Sequence, residues 1–395
     1  MKIVHIDLLD QYNDTWSYQD NLLPRMHKRA GHDVTMIATC RIHCDDGTFG
    51  MVQPSEYVLP DGVKVIRVAQ VKKYPLQKLQ TLMSPYEIFD ILQRIKPDMI
   101  MVHGLTARYA NRDIIKYIKR VNPECTLVVD SHTCEINADI HMVKGLRGKG
   151  KVWFVNAMYR QLYPYAKKIY GITPACVDYA VNYYGAPADK VALLPLGYDP
   201  DVLPWERREE TRTKFRQKHH LREDDTVIIH GGKIIRRRKT PETIKAVAKL
   251  DDPRVKLVIF GGMDAEMKPE VEALIEENRE RVIYLGALSP EEYHQAYYAA
   301  DLAVFPGGQS VLWQQAIGCG LPIVVGNDKK LDYLDRGGNA YFLDDTSAEG
   351  IYMALAEVLQ PDRLAKMKAA AQSEGREFFS YERIAQQIIE SRETI

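Results

Sequence analysis

The sequence predicts an α/β fold made of two doubly wound domains with parallel sheets. Apolar stretches typical of buried strands alternate with stretches of helical spacing along the whole chain. A length of 395 residues also exceeds what one hydrophobic core usually supports. Between the two halves, residues 200–225 are highly charged and have little strand character, which predicts a linker followed by a surface helix.

The individual elements follow from this periodicity. In the first half, strands are predicted at Ile3–Ile6, Val34–Ala38, Val63–Val68, Met99–Val102, Leu127–Asp130, Ile169–Thr173 and Val191–Leu194. The helices between them include Ser17–Ala30, Pro85–Ile95 and Arg112–Val121. In the second half, strands are predicted at Thr226–His230, Lys256–Phe260, Val282–Tyr284, Leu302–Phe305 and Ile323–Val325. They alternate with helices at Pro241–Leu250, Glu266–Asn278, Pro290–Ala299 and Val311–Gly318.

Charge and cysteine usage exclude several classes of protein. The 53 basic and 53 acidic residues cancel, which gives no support for a nucleic-acid partner held by bulk charge. No apolar run approaches the roughly 18 residues of a membrane span, and MKIVHIDLLD is typical of a first strand rather than a signal peptide.

The six cysteines form no CxxC pair and predict reduced thiols in a cytoplasm. CRIHC at 40–44 could place two thiols and His43 on a metal, but this spacing fits no common zinc motif, so we expect a loop and no metal.

Polar or glycine-rich segments follow several of the predicted strands. Ligands of doubly wound folds bind beyond the carboxyl ends of the strands, and for two facing domains this places them in a central cleft. The segments are Asp7–Trp16, His103–Gly104, Ser131–Glu135, Gly231–Lys239 and 307–310. We therefore expect the functional residues to come from these five segments.

Two of these segments favour a diphosphate ligand. Five of the seven residues in Lys233–Lys239 are cationic, directly after a strand, whereas no side chain from Pro306 to Val325 carries a charge. The start of a helix offers free N–H groups and a partial positive charge, and glycines let the backbone approach an anion. A diphosphate is thus expected between the cations and the amides around Ser310–Leu312. The alternative, a run of cations that merely forms a solvated face, has comparable weight for any single residue.

Several motifs occur in order along nearly the whole chain. They are MKIVHI, RAGHDVTMI, DMIMVHG, LVVDSH, VALLPLGYD, IIHGGKIIRRRK, VIYLGALSPEEYHQAYYAADLAVFP, GCGLPIVV and FFSYERIA. In this order they resemble the GT-B-fold glycosyltransferases of retaining family 4, with a "group 1" C-terminal domain. The resemblance implies an N-terminal acceptor-binding domain at 1–204, a C-terminal donor-binding domain at 205–375, and a final helix at 376–395 that crosses back to the first domain. It also implies transfer of a sugar from a nucleotide-diphosphate sugar, UDP-sugar above all, to a glycan, glycolipid or lipid-linked acceptor.

The resemblance implies roles for particular residues. Lys233 and Arg238 take the positions of the family's phosphate-binding cations and His132 that of the histidine near the transferred sugar, so these three are the expected catalytic residues. The resemblance also implies that the leaving diphosphate itself accepts the acceptor's proton and that lysine and arginine neutralise its charge, so neither a cofactor nor a metal is expected. The expected donor-binding residues are Gly232, Lys233, Arg238, Lys239, Leu288, Gln309, Ser310, Val311, Leu312, Gln314 and Gln315. The expected acceptor-binding residues are Asn13, Asp14, Thr15, Trp16, His103 and Glu135.

The sequence departs from the family at two glutamates. The family carries Glu, seven residues, Glu, where this chain has Gly307 and Gln315. A glutamine amide can still accept a hydrogen bond from a ribose hydroxyl, more weakly than a carboxylate, whereas the glycine cannot contact the sugar. Gln309 or Ser310 is the expected replacement. These departures leave open a degenerate, non-catalytic nucleotide-binding partner subunit, and the fold leaves open a nucleotide-sugar epimerase.

One further stretch favours a membrane partner. Residues 144–168 combine many cations with Trp153, Phe154, Tyr159 and Tyr163, a composition that suits an anionic membrane surface. We expect a cytoplasmic protein with peripheral contact to the inner face of a membrane. A helix packed in the first domain with solvated lysines is the equally weighted alternative.

Overall fold

The computed structural model describes residues 1–9, 11–44, 47–75, 83, 85–104, 108–135, 146–327 and 330–393. The chain divides into two compact units. The first unit consists of residues 1–195 together with 384–395, and the second consists of residues 196–383. The family resemblance implies these divisions at 204/205 and 375/376.

The first unit is built on one large sheet. Its strands are β1 (Lys2–Asp7), β2 (Asp33–Thr39), β5 (Ser55–Val58), β6 (Lys64–Val68), β7 (Met99–Val102), β8 (Thr126–Ser131), β9 (Ala166–Gly171) and β10 (Val191–Leu193), while β3 (Arg41–His43) and β4 (Phe49–Met51) form a separate hairpin. The strand order is β10-β9-β8-β7-β1-β2-β6-β5, and every pair is parallel except β5–β6. The helices of this unit are α1 (Gln19–Arg29), α2 (Phe89–Ile95), α3 (Arg108–Arg120), α4 (Leu146–Leu162) and α5 (Pro174–Asn182).

The second unit has a six-stranded parallel sheet. Its strands are β11 (Thr226–Gly231), β12 (Val255–Phe260), β13 (Val282–Tyr284), β14 (Leu302–Phe305), β15 (Ile323–Gly326) and β16 (Ala340–Leu343), in the order β13-β12-β11-β14-β15-β16. Its helices are α6 (Arg208–Lys218), α7 (Thr240–Ala248), α8 (Lys268–Glu277), α9 (Pro290–Ala299), α10 (Val311–Gly318), α11 (Ala348–Val358), α12 (Pro361–Ala370) and α13 (Arg376–Phe378). A last helix, α14 (Tyr381–Glu390), begins in the second unit and continues into the first.

The strands are continuous apolar runs in the sequence because both faces of the parallel sheets are buried. Parallel sheets are covered by helices on both faces, so both sets of alternating side chains are buried. In the second unit, two apolar clusters lie on either side of the sheet, one containing Ile229 and Val325 and the other Ile228 and Val324. The predicted α/β class is therefore confirmed, and no helix in the described part of the chain has the length and hydropathy to cross a bilayer.

The charged segment 200–225 contains the predicted surface helix, but one face of this helix is buried. Six of the eleven residues of α6 are exposed, whereas Thr211, Phe215 and Arg216 are buried within the second unit. The guanidinium of Arg216 donates to Asp301 Oδ2 at 2.8 Å, and Arg212 and Lys368 also bind this carboxylate. A charged residue can be buried when it is paired with an opposite charge, and amino-acid composition alone does not predict such pairs.

Candidate active site

The strand order of the second unit marks a binding position. Its first strand, β11, lies next to its fourth, β14, so the direction of winding reverses between them. In open parallel sheets, ligands bind outside the carboxyl ends of the strands at this point. Gly231 ends β11, and Phe305 ends β14. The cationic segment and the uncharged glycine segment therefore both start at the expected edge of the sheet.

The structure brings these two segments into direct contact. Arg238 Nη1 donates a hydrogen bond to Gly308 O at 2.6 Å. A Cβ atom on Gly307 would lie 2.0 Å from Arg237 O, and one on Gly232 would lie 3.1 Å from Leu312 Cδ1. Only a glycine fits at position 307 without moving the cationic segment. The departure from the family's first glutamate thus accompanies a close approach of two backbones.

The three cations expected at the phosphate differ in environment. Arg238 is partly buried, its Nε has no hydrogen-bond partner in the described structure, and burial together with Arg237 lowers its pKa. Lys233 is 70% exposed and its Nζ lies 3.9 Å from Asp264. Lys239 has a left-handed backbone (φ 63°), and its Nζ donates to Glu242 at 3.1 Å. Arg238 is therefore the cation most firmly positioned beside the glycine segment.

Helix α10 begins with a side-chain cap. The Ser310 hydroxyl accepts a hydrogen bond from Leu312 N at 3.4 Å, and Val311 is exposed at the first helical position. The first amides of a helix have no acceptors within that helix, so this end attracts anions. Gln309 is half-buried just before the cap.

The two glutamines near the family's second glutamate have different surroundings. Gln314 is 3% exposed, and the orientation that satisfies its amide lets it donate to Ser310 O at 2.9 Å and accept from Tyr333 OH at 2.7 Å. It supports the start of the helix and is not open to a ligand. Gln315 is half-buried, and its buried Oε1 has no donor in the described structure. An unmet acceptor at this position fits a ligand hydroxyl.

The loop after β13 borders the same edge of the sheet. Gly261 N donates to Gly286 O at 2.7 Å, and Leu285 N donates to Ile259 O at 2.9 Å. Leu288 is partly buried and packs against the apolar cluster of the second unit. The backbone of this loop is therefore held in place beside β12.

In the first unit, His132 lies just beyond the carboxyl end of β8. Its side chain is 45% exposed, and Nε2 lies 3.4 Å from Oδ1 of the buried Asp130. Burial works against a charged ring, but the negative charge of Asp130 outweighs it and raises the pKa of His132. His132 is thus oriented with Nε2 toward Asp130, and its other nitrogen is on the far side of the ring.

Two residues expected at the acceptor have structural partners in the first unit. Asn13 makes two hydrogen bonds with the backbone of His43, at 2.7 and 2.8 Å, and so ties its loop to the β3–β4 hairpin. Asp14 accepts from the buried Arg67 at 2.8 Å and from Tyr57 OH. In the same loop, Thr15 is exposed and Trp16 is half-buried. Thr15 and Trp16 are therefore better placed than Asn13 and Asp14 to meet a ligand.

The other two acceptor candidates also differ from each other. His103 is 5% exposed, and both of its ring nitrogens face buried partners, His5 at 2.9 Å and Asp130 at 3.0 Å. It is a core residue and does not present a nitrogen to an acceptor. Glu135 is exposed and accepts from Tyr183 OH at 2.5 Å.

Sequence reasoning missed the residue that orients His132. Asp130 is fully buried, which is rare for a carboxylate, and it accepts from Gly104 N at 2.6 Å as well as from His103. The sequence feature that could have identified Asp130 is an aspartate at the end of an otherwise apolar predicted strand, directly before a polar segment. The strand prediction Leu127–Asp130 includes it without assigning it a role in the site.

The remaining expectations concern surfaces and metals. In the stretch 144–168, Tyr159 and Tyr163 are buried, so these two rings cannot form a membrane-facing surface, whereas Trp153 is 71% exposed. All six cysteines are free. In the described ranges, no group of three or more histidine, cysteine or acidic side chains is arranged to hold a metal ion.

Comparison with known proteins gives two family matches. Residues 17–197 match the family "Glycosyl transferase 4-like domain", and residues 211–377 match "Glycosyl transferases group 1". An uncharacterized glycosyltransferase of Methanocaldococcus jannaschii is 26% identical over 150 residues, which cover 36% of this chain and 38% of the relative. The lipopolysaccharide 1,2-N-acetylglucosaminetransferase of Salmonella typhimurium is 27% identical over 129 residues, covering 30% of this chain and 33% of the relative. The matched segments thus span about a third of the length of these curated relatives.

A solved structure extends the likeness to the whole chain. Anabaena HepE in complex with UDP superimposes with a TM-score of 0.62 at 17% identity and covers 100% of both chains. At this identity the likeness establishes a shared fold.

Proposed function

Because the chain belongs to the group 1 glycosyltransferases of GT-B fold, we propose that it is an active retaining transferase that takes a sugar from a nucleotide-diphosphate sugar. The observation that carries the proposal lies in the second unit, where Arg238 is fixed to Gly308 O at the carboxyl edge of the sheet. A cation and the uncharged start of α10 then share one small region. This combination suits a diphosphate better than any other common ligand.

The donor is a nucleotide sugar, with UDP as the favoured nucleotide. Arg238 and Lys233 neutralise the diphosphate, and the first amides of α10 donate to its oxygens. The unmet Oε1 of Gln315 accepts from a ribose hydroxyl. UDP in the related HepE structure supports this choice of nucleotide. Leu288 and the backbone after β13 border the base.

The chemistry needs charge stabilisation more than a protein nucleophile. As the bond between the sugar and the diphosphate breaks, negative charge develops on the leaving oxygen, and the fixed cation and amides stabilise it. The departing diphosphate accepts the proton of the attacking hydroxyl on the same face of the sugar, so configuration is retained. His132 contacts the sugar. No cofactor or metal takes part in this scheme.

The acceptor is a glycan, a glycolipid or another lipid-linked molecule used in cell-surface polysaccharide synthesis. The relative that transfers N-acetylglucosamine to lipopolysaccharide supports this class. Thr15, Trp16 and Glu135 are the residues available to it in the first unit. The exposed Trp153, on a helix with several cations in its sequence, fits peripheral contact with the inner face of a membrane from the cytoplasm.

The proposal is tested with a panel of nucleotides and nucleotide sugars. UDP should raise the melting temperature in a concentration-dependent way, because a ligand that binds only the folded state stabilises it. A donor sugar should then be hydrolysed slowly without acceptor. Arg238→Ala should lower the rate by about 10²–10³-fold, because it removes one stabilising charge at the leaving group.

Arg236→Ala provides the matched control. Arg236 lies in the same cationic segment but is 56% exposed and pairs with Glu270 at 2.6 Å. Its removal should leave the rate within about threefold, since exposed ion pairs contribute little. Equal losses in both variants would contradict the assigned role of Arg238.

A non-catalytic nucleotide-binding partner subunit is the second candidate. Gly307 and Gln315 in place of two glutamates favour it, because a ligand could bind without the contacts that activate the sugar. Nucleotide binding without donor hydrolysis, under conditions where Arg238→Ala weakens binding, would establish this alternative. The matching families favour both readings over a nucleotide-sugar epimerase.

A further inference from the structure

Three buried histidines and one aspartate of the first unit form an unbroken series of hydrogen bonds. His27 Nε2 faces the backbone oxygen of Ala385 at 3.0 Å, and His27 Nδ1 faces His5 Nε2 at 2.9 Å. His5 Nδ1 then faces His103 Nε2 at 2.9 Å, and His103 Nδ1 faces Asp130 Oδ2 at 3.0 Å. We call His27, His5, His103 and Asp130 the imidazole chain.

The rings meet through their nitrogen atoms. The centroids of His5 and His103 are 5.2 Å apart while the facing nitrogens are 2.9 Å apart, so the contact is edge to edge. The same holds for His5 and His27, with centroids at 5.1 Å. All three rings are 5% exposed or less, and Asp130 is fully buried. Water therefore cannot replace a missing partner cheaply.

Counting protons along the imidazole chain gives a definite result. Its four hydrogen bonds need four protons, and three neutral imidazoles carry only three. Neither end supplies the fourth, because a backbone carbonyl and an ionised carboxylate only accept. With every bond made, the three rings and Asp130 together must hold one additional proton, which gives them no net charge.

Local chemistry places that proton on His103. Gly104 N donates to Asp130 Oδ1 at 2.6 Å, and His132 Nε2 faces the same oxygen at 3.4 Å. Both contacts stabilise the carboxylate, and an imidazole is the stronger base in any case. His5 and His27 are neutral, because burial lowers the pKa of each, to about 4 for His27.

We propose that the imidazole chain permanently holds this additional proton, that the proton makes His103 an imidazolium, and that its pair with Asp130 fixes the ring of His132. Asp130 and His103 are then positioning residues. They hold Nε2 of His132 toward Asp130, and this orientation of the ring serves its contact with the sugar. The contact with the sugar rests on the proposed function, whereas the proton count does not.

Among the residues that the structure describes, further titratable groups lie near both ends of the imidazole chain. His27 also approaches His32, at 6.3 Å between ring centroids, and His32 lies near the N-terminal amino group. His132 also feels the charge of Asp20. The nearest negative charge to the stored proton is thus Asp130.

Nitrogen-15 NMR of the full-length protein tests the proton count directly. Between about pH 6 and 8, His103 should show two protonated ring nitrogens, and His5 and His27 should each show protonated Nε2 alone. His230 is an internal control. Its Nδ1 donates to Val304 O at 2.7 Å and burial lowers its pKa to about 4, so it should show one protonated nitrogen. A single proton on His103 at neutral pH would overturn the proposal.

A variant tests the same count from the other direction. In His5→Phe, two bonds remain, from His27 to Ala385 O and from His103 to Asp130, and two neutral rings can supply both protons. In this variant, nitrogen-15 NMR at pH 7 should therefore show only one protonated ring nitrogen on His103. If His103 keeps two protonated nitrogens in this variant, its second proton does not depend on the ring of His5, and the proton count is wrong. If the variant does not fold, the spectrum of the native protein still tests the proton count.

The positioning role is tested with Asp130→Asn. The pKa of His132 should fall, because the charge that raises it is gone. If the proposed reaction is correct, kcat should fall about 100-fold with little change in the KM for the donor, since misplacing one group is sufficient for such a loss. The pH profile of kcat should move with the His132 pKa.

Asp113→Asn is the matched control. Asp113 is also buried in the first unit and accepts from Ile88 N at 2.9 Å, but it does not contact the imidazole chain. It should leave the pKa of His132 and the pH profile unchanged. An unchanged His132 pKa in Asp130→Asn would refute the positioning role. If NMR shows two protonated nitrogens on His103 but the protein has no transferase activity, only the proposed function is refuted.

Discussion

At the scale of single residues, Gly307 decides how the cationic segment meets the glycine segment. The Arg237 carbonyl occupies the space where any other residue would place its Cβ. Arg238 reaches Gly308 O only because this approach is close. The absence of the family's glutamate is therefore coupled to the position of Arg238, the cation that we propose binds the diphosphate.

We expect Gly307→Ala to weaken nucleotide binding. Its Cβ would lie 2.0 Å from Arg237 O, and relieving such overpacking costs about 1–3 kcal/mol. The Kd for UDP, measured by calorimetry, should rise about 10- to 100-fold. Gly307→Glu should likewise weaken UDP binding, because its Cβ meets the same carbonyl oxygen.

Gly262→Ala is the matched control for this substitution. Gly262 is exposed, and an added Cβ would meet no atom within 4 Å. Its Kd for UDP should stay near that of the native protein. A gain of activity in Gly307→Glu would show that the segment moves aside and that the close approach is not required.

At the scale of elements, helix α9 shows how burial sets a pH dependence. His294 on this helix is 2% exposed, its Nδ1 donates to Pro290 O at 2.6 Å, and its Nε2 has no partner in the described structure. Burial lowers its pKa from 6.5 to about 4. Between these values the unfolded chain binds a proton that the folded chain does not, so stability falls as the pH falls.

We expect His294→Phe to remove part of the acid sensitivity of the second unit. The pKa difference corresponds to about 3 kcal/mol of stability lost between pH 6.5 and about pH 4. Denaturant unfolding at several pH values should show a smaller loss of free energy in the variant over this range. Gln295→Ala on the same helix should keep the native pH dependence. An unchanged slope in His294→Phe would mean that other groups take up the protons.

At the scale of the whole molecule, the end of the chain completes the first unit. Residues 384–395 belong to it although they follow the entire second unit. Ile384, Ala385 and Ile388 are buried, and Gln387 donates to Leu193 O at 3.0 Å. The chain thus crosses between the units twice.

Truncation after Arg383 should therefore destabilise the first unit selectively. Loss of two buried isoleucines removes about 3–6 kcal/mol of apolar burial, and His27 loses its acceptor. Hydrogen exchange should show faster opening of β1 and β2, while UDP binding by the second unit persists. Arg392→Ala, a change at an exposed residue, should leave the exchange unchanged. Equal destabilisation of both units would contradict the assignment of the C-terminal segment to the first.

The sequence determined the class of fold, most strands and the candidate phosphate site. These depend on local information: apolar periodicity for strands such as Ile323–Val325, and the order of cations and glycines after strands for the site. A parallel sheet places the carboxyl ends of its strands at one edge. Local patterns were therefore sufficient to predict that the segments of Arg238 and Gly308 lie close together.

Only the tertiary structure decided which side chains are open to ligands and which are held in the core. His103 and Asn13 carry the right chemistry for a sugar, but each is held by protein partners. The imidazole chain joins His27 to Ala385, which lie 358 positions apart, and the close approach at Gly307 joins segments about 70 positions apart. Contacts over such separations have no local pattern, because they are fixed by the packing of whole elements and not by the periodicity of neighbouring residues.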